Sequence, residues 1–448
     1  MRIVHVVHGF PPESLGGTET YTAQIAAALR QRGHEVSVFT RVADARRTEY
    51  AIDTVVRDNI TVTRVNNPFR SLNTFTDSYC NLEIARQFGR FLDQTSPDLV
   101  HVQHLMYLST SCIKEAVRRR IPVVMTLHDY WLICQRGRFL KPDLSVCDGQ
   151  TDDGCARCFA HLFAGKLSSV YQRVKPDPGR HLWLRDLLRR FHARYVALCP
   201  PSASARQQIN ARMAHVRDLC RHVSLFLAPS QFLREQFLSF GVPAEKIVFA
   251  ECGLPPLETT NGRVREPHDL VRLGYIGVVD PVKGIHLLVD AVASMENVEL
   301  WIYGGEADYA QYPDRKRFLD QLQHSPHIHM MGRYAHGDLG RILAEVDVVV
   351  VPSIWYENAP LVIREAFLAK KPVVTAAFGG MQEWVQNEVN GLLFRPHDVV
   401  ELRRTLERFV SDPALVGKLS RTFPPVQSIA ADALALEERY LTLVRDAR

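Results

Sequence analysis

No stretch of the 448 residues stays apolar for the roughly 18 positions that would span a bilayer, which argues against an integral membrane protein. There is no low-complexity tract, no short fixed repeat and no block of like charge. The 54 lysines and arginines are dispersed, so a nucleic-acid arm is not expected, and the net charge of +5 says only that anionic partners are tolerated. The opening run Met1–Val7 lacks the longer apolar core and small-residue cleavage site of a secretory leader, and reads as a first buried strand. A cytoplasmic location is the expectation, with the nine cysteines reduced. Also missing is a Gly-x-Gly-x-x-Gly fingerprint after that strand. The segment His8–Gly17 does not supply it, which counts against an NAD-dependent oxidoreductase.

What is present suits a globular α/β enzyme of more than one domain. Hydrophobic residues make up 46% and charged residues 23%, so most of the chain should fold. Short runs apolar on both faces recur at Ile3–Val7, Glu35–Phe39, Asp98–Val102, Pro122–Leu127 and Leu225–Ala228. They recur again at Val271–Ile276, Glu299–Tyr303, His327–Met331, Val346–Val351, Pro372–Thr375 and Gly391–Phe394. Helical patterns lie between them, among them Thr18–Gln31, Ile285–Met295, Tyr309–His324, Gly337–Ala344 and Leu361–Ala369. Such alternation predicts two successive doubly wound units with parallel sheets. The expected division is 1–255, a linker at 256–267 rich in proline and threonine, 268–425, and a C-terminal helix in 426–448. That helix would present Leu434, Leu436, Tyr440, Leu441 and Val444, and could cross back to the first domain. Residues 134–221 fit the alternation poorly and read as a Cys-rich, then basic, insertion.

The richest segment runs from Pro352 to Ala366. A strand ending at Val351 leads into Glu357-Asn358-Ala359-Pro360-Leu361, and Pro360 suits the first position of a helix. The free amides of Asn358 to Leu361 would then form an anion site at a helix start. Glu357 and Glu365 flank it, and a carboxylate pair can accept hydrogen bonds from sugar hydroxyls on both sides.

These residues resemble the retaining GT-B glycosyltransferases of family 4. The likeness is carried by two glutamates with seven residues between them in Pro-Ser-x-Trp-Tyr-Glu-Asn-x-Pro and Glu-Ala-Phe. It continues in Gly379-Gly380, Glu383 and Gly391–Phe394, with Gly16-Gly17 and His128-Asp129 upstream in the expected order. The resemblance implies two Rossmann-like domains facing each other across a cleft, and a nucleotide-diphospho-sugar donor, UDP-, GDP- or another. It implies that Glu365 binds ribose and Glu357 faces the donor hexose. Gly16 and Gly17 would admit the phosphates, His128 would lie over the sugar, and Lys283 would neutralise the leaving diphosphate. Arg333 and Tyr334 fall where the family contacts the nucleobase. The family often has an arginine at the position of Val278, so either Lys283 acts alone or another base helps, with Arg333 and Arg364 nearby in sequence. Front-face substitution with retention is implied, to a glycan or lipid-linked acceptor in surface polysaccharide or glycoconjugate synthesis, with no metal required for catalysis. An epimerase, a phosphorylase or a non-catalytic nucleotide-binding module on the same scaffold are the alternatives.

Two further signals stand outside that motif. Cys134, Cys147, Cys155 and Cys158 are separated by twelve, seven and two residues, a pattern that four-thiolate structural zinc would suit. The arginines between Arg180 and Arg221, with Trp183 and Leu187, could meet anionic lipid at the inner face of a membrane.

Overall fold

A computed structural model describes residues 1–71, 74–158, 203–257, 270–305 and 315–447. The basic segment around Trp183 and Leu187 and most of the expected linker therefore lie outside the described residues.

Strands β1 (Arg2–Val7) to β8 (Ile247–Phe249) form one sheet in the order β3-β4-β2-β1-β5-β6-β7-β8. The intervening strands are β2 (Glu35–Val42), β3 (Ile52–Arg57), β4 (Ile60–Asn66), β5 (Leu99–Val102), β6 (Val123–Thr126) and β7 (Leu225–Ala228). Helices α1 (Gly17–Gln31), α2 (Leu82–Thr95), α3 (Ser111–Arg118), α4 (Asp152–Cys158), α5 (Ala203–His222) and α6 (Gln231–Phe240) surround it. A second sheet holds β9 (Val271–Ile276), β10 (Val298–Tyr303), β11 (Ile328–Gly332), β12 (Val348–Val351), β13 (Val373–Ala376) and β14 (Gly391–Phe394), in the order β11-β10-β9-β12-β13-β14. Its helices include α7 (Ile285–Val292), α8 (Arg315–His324), α9 (Leu339–Glu345) and α10 (Leu361–Leu368). After them come α11 (Met381–Trp384), α12 (Val399–Ser411), α13 (Ala414–Leu419) and α14 (Ile429–Ala447).

Two Rossmann-like α/β units are thus present, as the strand spacing predicts. The first sheet departs from the expectation at one edge, where β3 and β4 form an antiparallel hairpin. The solvent-facing strand β3 alternates exposed and half-buried residues, and its short run carries too few apolar residues to stand out in the sequence. Helices α2 and α3 also escape the sequence pattern, although α2 is capped by Asn81, whose side chain accepts from the Ile84 amide.

Each sheet reverses its strand order beside its first strand. In the first unit β2 and β5 flank β1, and in the second β10 and β12 flank β9. Loops that leave the C-terminal ends of such neighbouring strands diverge and open a crevice between them. Gly16 and Gly17 follow β1, and Lys283 and Glu357 follow β9 and β12.

The two units are packed together. The core on one face of the first sheet takes in Val282, Ile354 and Trp355 from the second. Helix α14 lies on α1, burying Ala433, Leu436 and Tyr440. Of the apolar face expected for this helix, Leu434 and Leu441 instead point outward. Asp432 fixes the crossing: it accepts from Tyr21 Oη at 2.9 Å and from the Gly253 amide at 2.7 Å. No helix among the described residues is long and apolar enough to cross a membrane.

The basic character assigned to α5 needs one correction. Arg212 is fully buried, and its guanidinium donates to the carbonyls of Leu132 (3.0 Å) and Trp131 (2.6 Å) between the rings of Tyr79 and Trp131. It staples the loop after β6 to the helix and is no part of a solvated face. Arg212→Ala should lower unfolding stability by about 3 kcal/mol, measured by urea denaturation, because two buried carbonyls lose their donors.

Candidate active site

Lys283 closes a short turn, Pro281–Lys283, whose start is capped by Asp280 accepting from the Val282 amide. Gly284 follows with φ +72° and opens α7. A Cβ there would fall 1.8 Å from the Pro352 carbonyl oxygen, so only glycine lets the loops after β9 and β12 touch. That contact sets the distance on which the site depends. Lys283 Nζ donates to Glu357 Oε1 at 2.6 Å.

The same oxygen accepts from Ser353 Oγ (2.7 Å) and Trp355 Nε1 (2.8 Å). Three donors on one oxygen immobilise the buried carboxylate and leave Oε2 as the atom open to a ligand. Ser353 and Trp355 were not assigned from the sequence. Their offsets of four and two residues before Glu357, within one loop, were the available signal.

Pro360 caps α10 in an extended conformation and Leu361 is the first helical residue, one position later than the sequence suggested. The first amides of α10 still lack intrahelical partners and face the crevice end of the strand. Glu365 lies on the second turn. Its carboxylate is buried, accepts no hydrogen bond from the described residues, and burial pushes its pKa up to about 7. Tyr334 shares the pocket: burial first, then the Glu365 carboxylate, pushes its phenol up to about 12. Arg333 lies against the backbone of Gly305 at the end of β10.

Arg364 does not join this group. It is fully buried, donates to the Cys252 carbonyl and stacks over Trp384, 5.2 Å from the ring centroid. The loop after β9 thus offers Lys283 alone beside Glu357, with Val278 exposed to solvent.

The first unit meets this cradle directly. Asn358 Nδ2 donates to the His128 carbonyl at 2.7 Å, and a Cβ on Gly17 would lie 3.8 Å from the Leu361 side chain. His128 directs Nε2 to Gln103 Oε1 at 2.8 Å, and burial lowers its pKa to about 3. The ring is therefore neutral near pH 7. Gly379 and Gly380 press the loop after β13 onto the cradle, with the Gly380 amide donating to the Glu357 carbonyl at 2.7 Å. From α11, Glu383 reaches across to accept from the amides of Gln231 (2.8 Å) and Phe232 (2.6 Å) at the start of α6. This interdomain role was missed, since nothing in the sequence pairs Glu383 with α6.

Cys134, Cys147, Cys155 and Cys158 are half-buried against one core, near enough for their charges to influence one another. As placed, no three ligand-type side chains among the described residues converge on a metal position.

Comparison with known proteins bears on the two units and their fold. The model of the Glycosyltransferase Family 4 matches residues 15–216, and that of the Glycosyl transferases group 1 matches residues 258–423. The chain is a GT-B protein of the group 1/family 4 glycosyltransferase type. Among curated relatives of the chain, the D-inositol 3-phosphate glycosyltransferase of Stackebrandtia nassauensis is 32% identical over 195 residues, 39% of this chain and 43% of that protein. The enzyme of the same description from Mycobacterium sp. (strain KMS) is 30% identical over 164 residues, covering 36% and 34%. The match thus spans about a third to two fifths of the length of these relatives. Among solved structures, sucrose-phosphate synthase from Thermosynechococcus elongatus aligns with TM-score 0.66 at 20% identity over 99% of both chains. HepE from Anabaena, in complex with UDP and glucose, aligns with TM-score 0.61 at 20% identity over 100% of this chain and 98% of its own. These likenesses establish the fold.

The raised pKa of Glu365 carries a stability cost with a definite sign. Below the unfolded value near 4.5 both states are protonated and nothing is lost. Between there and about 7 the unfolded state ionises first, and above 7 the cost is complete, at about 3 kcal/mol. Glu365→Gln should therefore raise the melting temperature of ligand-free protein at pH 8 and leave it nearly unchanged at pH 4, while weakening nucleotide binding.

Proposed function

We propose that the chain transfers a hexose-type sugar from a nucleotide-diphospho-sugar to a glycan or lipid-linked acceptor, with retention of configuration, in surface polysaccharide or glycoconjugate synthesis. The observation that carries this reading is the ion pair of half-buried Lys283 with buried Glu357 beside the start of α10, with a Glu365 carboxylate that has no partner among the described residues one helical turn beyond it. A group with a diphosphate between two polyols fits that sequence of a carboxylate, an ammonium with free amides, and a carboxylate. HepE, described in complex with UDP-glucose, lends support to a nucleotide-sugar donor.

In this reading Glu365 accepts from the ribose hydroxyls, and Tyr334 and Arg333 border the nucleobase. The amides of Asn358, Ala359 and Leu361 and the space beside Gly16 and Gly17 accommodate the diphosphate and sugar, with Pro360 fixing the loop. Glu357 Oε2 accepts from a donor hydroxyl.

Negative charge grows on the diphosphate as the glycosidic bond breaks, so a lysine already held there stabilises the transition state more than the ground state. When Lys283 turns to phosphate, Ser353 and Trp355 keep Glu357 in place. The departing phosphate oxygen takes the acceptor proton on the face it leaves, so Glu357 need not act as a nucleophile. His128, being neutral, serves as a hydrogen-bonding wall of the sugar site.

Titration of the protein with UDP-, GDP- and ADP-sugars, followed by NMR of the product's anomeric configuration, tests the proposal. Binding of one donor class and a retained anomer are expected. No binding at millimolar concentration of any of them would sink it. Lys283→Ala should reduce kcat at least about 100-fold, with a smaller change in donor affinity. Ser353→Ala should cost about tenfold at most, since two donors to Glu357 remain.

Catalysis without a metal, a cytoplasmic location with peripheral membrane contact, and a structural zinc are also part of the proposal. The zinc would require the thiols of Cys134, Cys147, Cys155 and Cys158 to rotate inward. Near-stoichiometric zinc in purified protein, lost in a Cys155→Ser/Cys158→Ser double variant, is the expected result of metal analysis.

A further inference from the structure

Arg41 stands near the end of β2, beside the crevice where β2 and β5 part around β1. Its Nε donates to the Asn67 carbonyl at 2.9 Å. Its guanidinium carbon lies 5.1 Å from the Phe69 ring centroid and 5.0 Å from that of Tyr107. The two rings meet edge to face at 5.5 Å. Asn67 ties the arrangement together, donating from Nδ2 to the Tyr107 carbonyl at 2.9 Å and accepting from the Phe69 amide at 3.2 Å.

Three features set this arginine apart. Arg47, Arg57 and Arg64, on the same edge of the sheet, pair with Asp53 or Glu13, whereas Arg41 pairs with no carboxylate among the described residues. Phe69 and Tyr107 both hold left-handed backbones, φ 59° and 68°, a conformation that aromatic residues adopt only when the surroundings enforce it. Tyr107 nevertheless remains 42% exposed, so a strained loop holds an aromatic ring at the surface.

Two rings strip water from the guanidinium, and no carboxylate among the described residues compensates. The edge bearing the Nη groups is left for an anion from outside. His8, whose ring is 6.4 Å from that of Tyr107, completes the wall. Burial, His104 and Arg41 lower its pKa to about 4 against the opposing pull of Glu19 and Asp129, so near pH 7 it adds no competing charge.

We infer that Arg41, framed by Phe69 and Tyr107, seats a phosphate group of the acceptor. This deepens the reading of the chain as a glycosyltransferase: the acceptor would be phosphorylated, either a lipid-linked pyrophosphate or a soluble sugar phosphate. The planar guanidinium takes two phosphate oxygens at once, and the exposed Tyr107 ring offers a face to the adjoining sugar or isoprenoid carbons.

Calorimetric titration of the full chain with inorganic pyrophosphate tests the site apart from donor chemistry. Two classes of binding are expected, one lost in Lys283→Ala and the other weakened about tenfold or more in Arg41→Ala, with Arg41→Lys intermediate. The Arg41→Ala protein should melt within a few degrees of the parent, which separates loss of a ligand contact from loss of the fold. Hexose 1-phosphate and a short-chain polyprenyl pyrophosphate are then used as competitors. Displacement from the Arg41 class by either supports the inference and identifies the source. Displacement by neither, or unchanged pyrophosphate binding in Arg41→Ala, overturns it. If the Arg41 class persists while no nucleotide sugar binds, the glycosyl-transfer reading fails and the anion site stands.

Discussion

One carboxylate oxygen organises the site. Glu357 Oε1 gathers the ammonium of Lys283, the hydroxyl of Ser353 and the indole N–H of Trp355, and so links the loops after β9 and β12. A buried carboxylate is costly unless its charge is paired and hydrogen-bonded, and these three donors meet both demands. Because Gly284 lets one loop's backbone lie against the other's, the lysine reaches the glutamate without an extended detour. The contrast with Glu365 is chemical. One carboxylate has an oxygen saturated by three donors; the other is buried, accepts no hydrogen bond from the described residues, and has its pKa pushed up to about 7 by that burial.

The second constraint is the join between the units. Tyr21, Gly253 and Asp432 lock α14 onto α1, while Arg364 fastens α10 to the carbonyl of Cys252. Nearer the crevice, Asn358 holds the His128 carbonyl and Glu383 caps α6. The cradle of one unit is thereby built partly from the other. Beneath it, Gln103 connects His128 to His5, and His101 meets both Thr126 and Tyr440 Oη, so α14 touches the polar interior under His128. Burial keeps these imidazoles neutral, which is why three of them can share one small volume.

Much of this was legible beforehand because parallel strands buried on both faces write themselves as short apolar runs, and because the candidate site from Glu357 to Glu365 is one contiguous segment. Glu357, Asn358 and Glu365 are sequence neighbours, so their motif survives without the fold. The hairpin edge at β3 was not legible, since a strand with one wet face resembles a loop. Of the bases near Lys283 in sequence, Arg364 turns away: adjacency to Glu365 says nothing about direction, and on α10 neighbouring residues point about 100° apart. Arg212 likewise looked like a surface charge because its partners are backbone carbonyls, which carry no sequence signature.

The sequence by itself determined the two α/β units, the family type and the carboxylate-flanked helix start, because period and local spacing are properties of the chain alone. Only the tertiary structure decided that Lys283 shares one oxygen with Ser353 and Trp355, that Glu383 caps a helix of the other unit, and that Arg41 lies between Phe69 and Tyr107 with no carboxylate partner among the described residues. Those are contacts between segments far apart in sequence. Their energies depend on burial and on the direction of each side chain, and neither exists until the strands are ordered in the sheet.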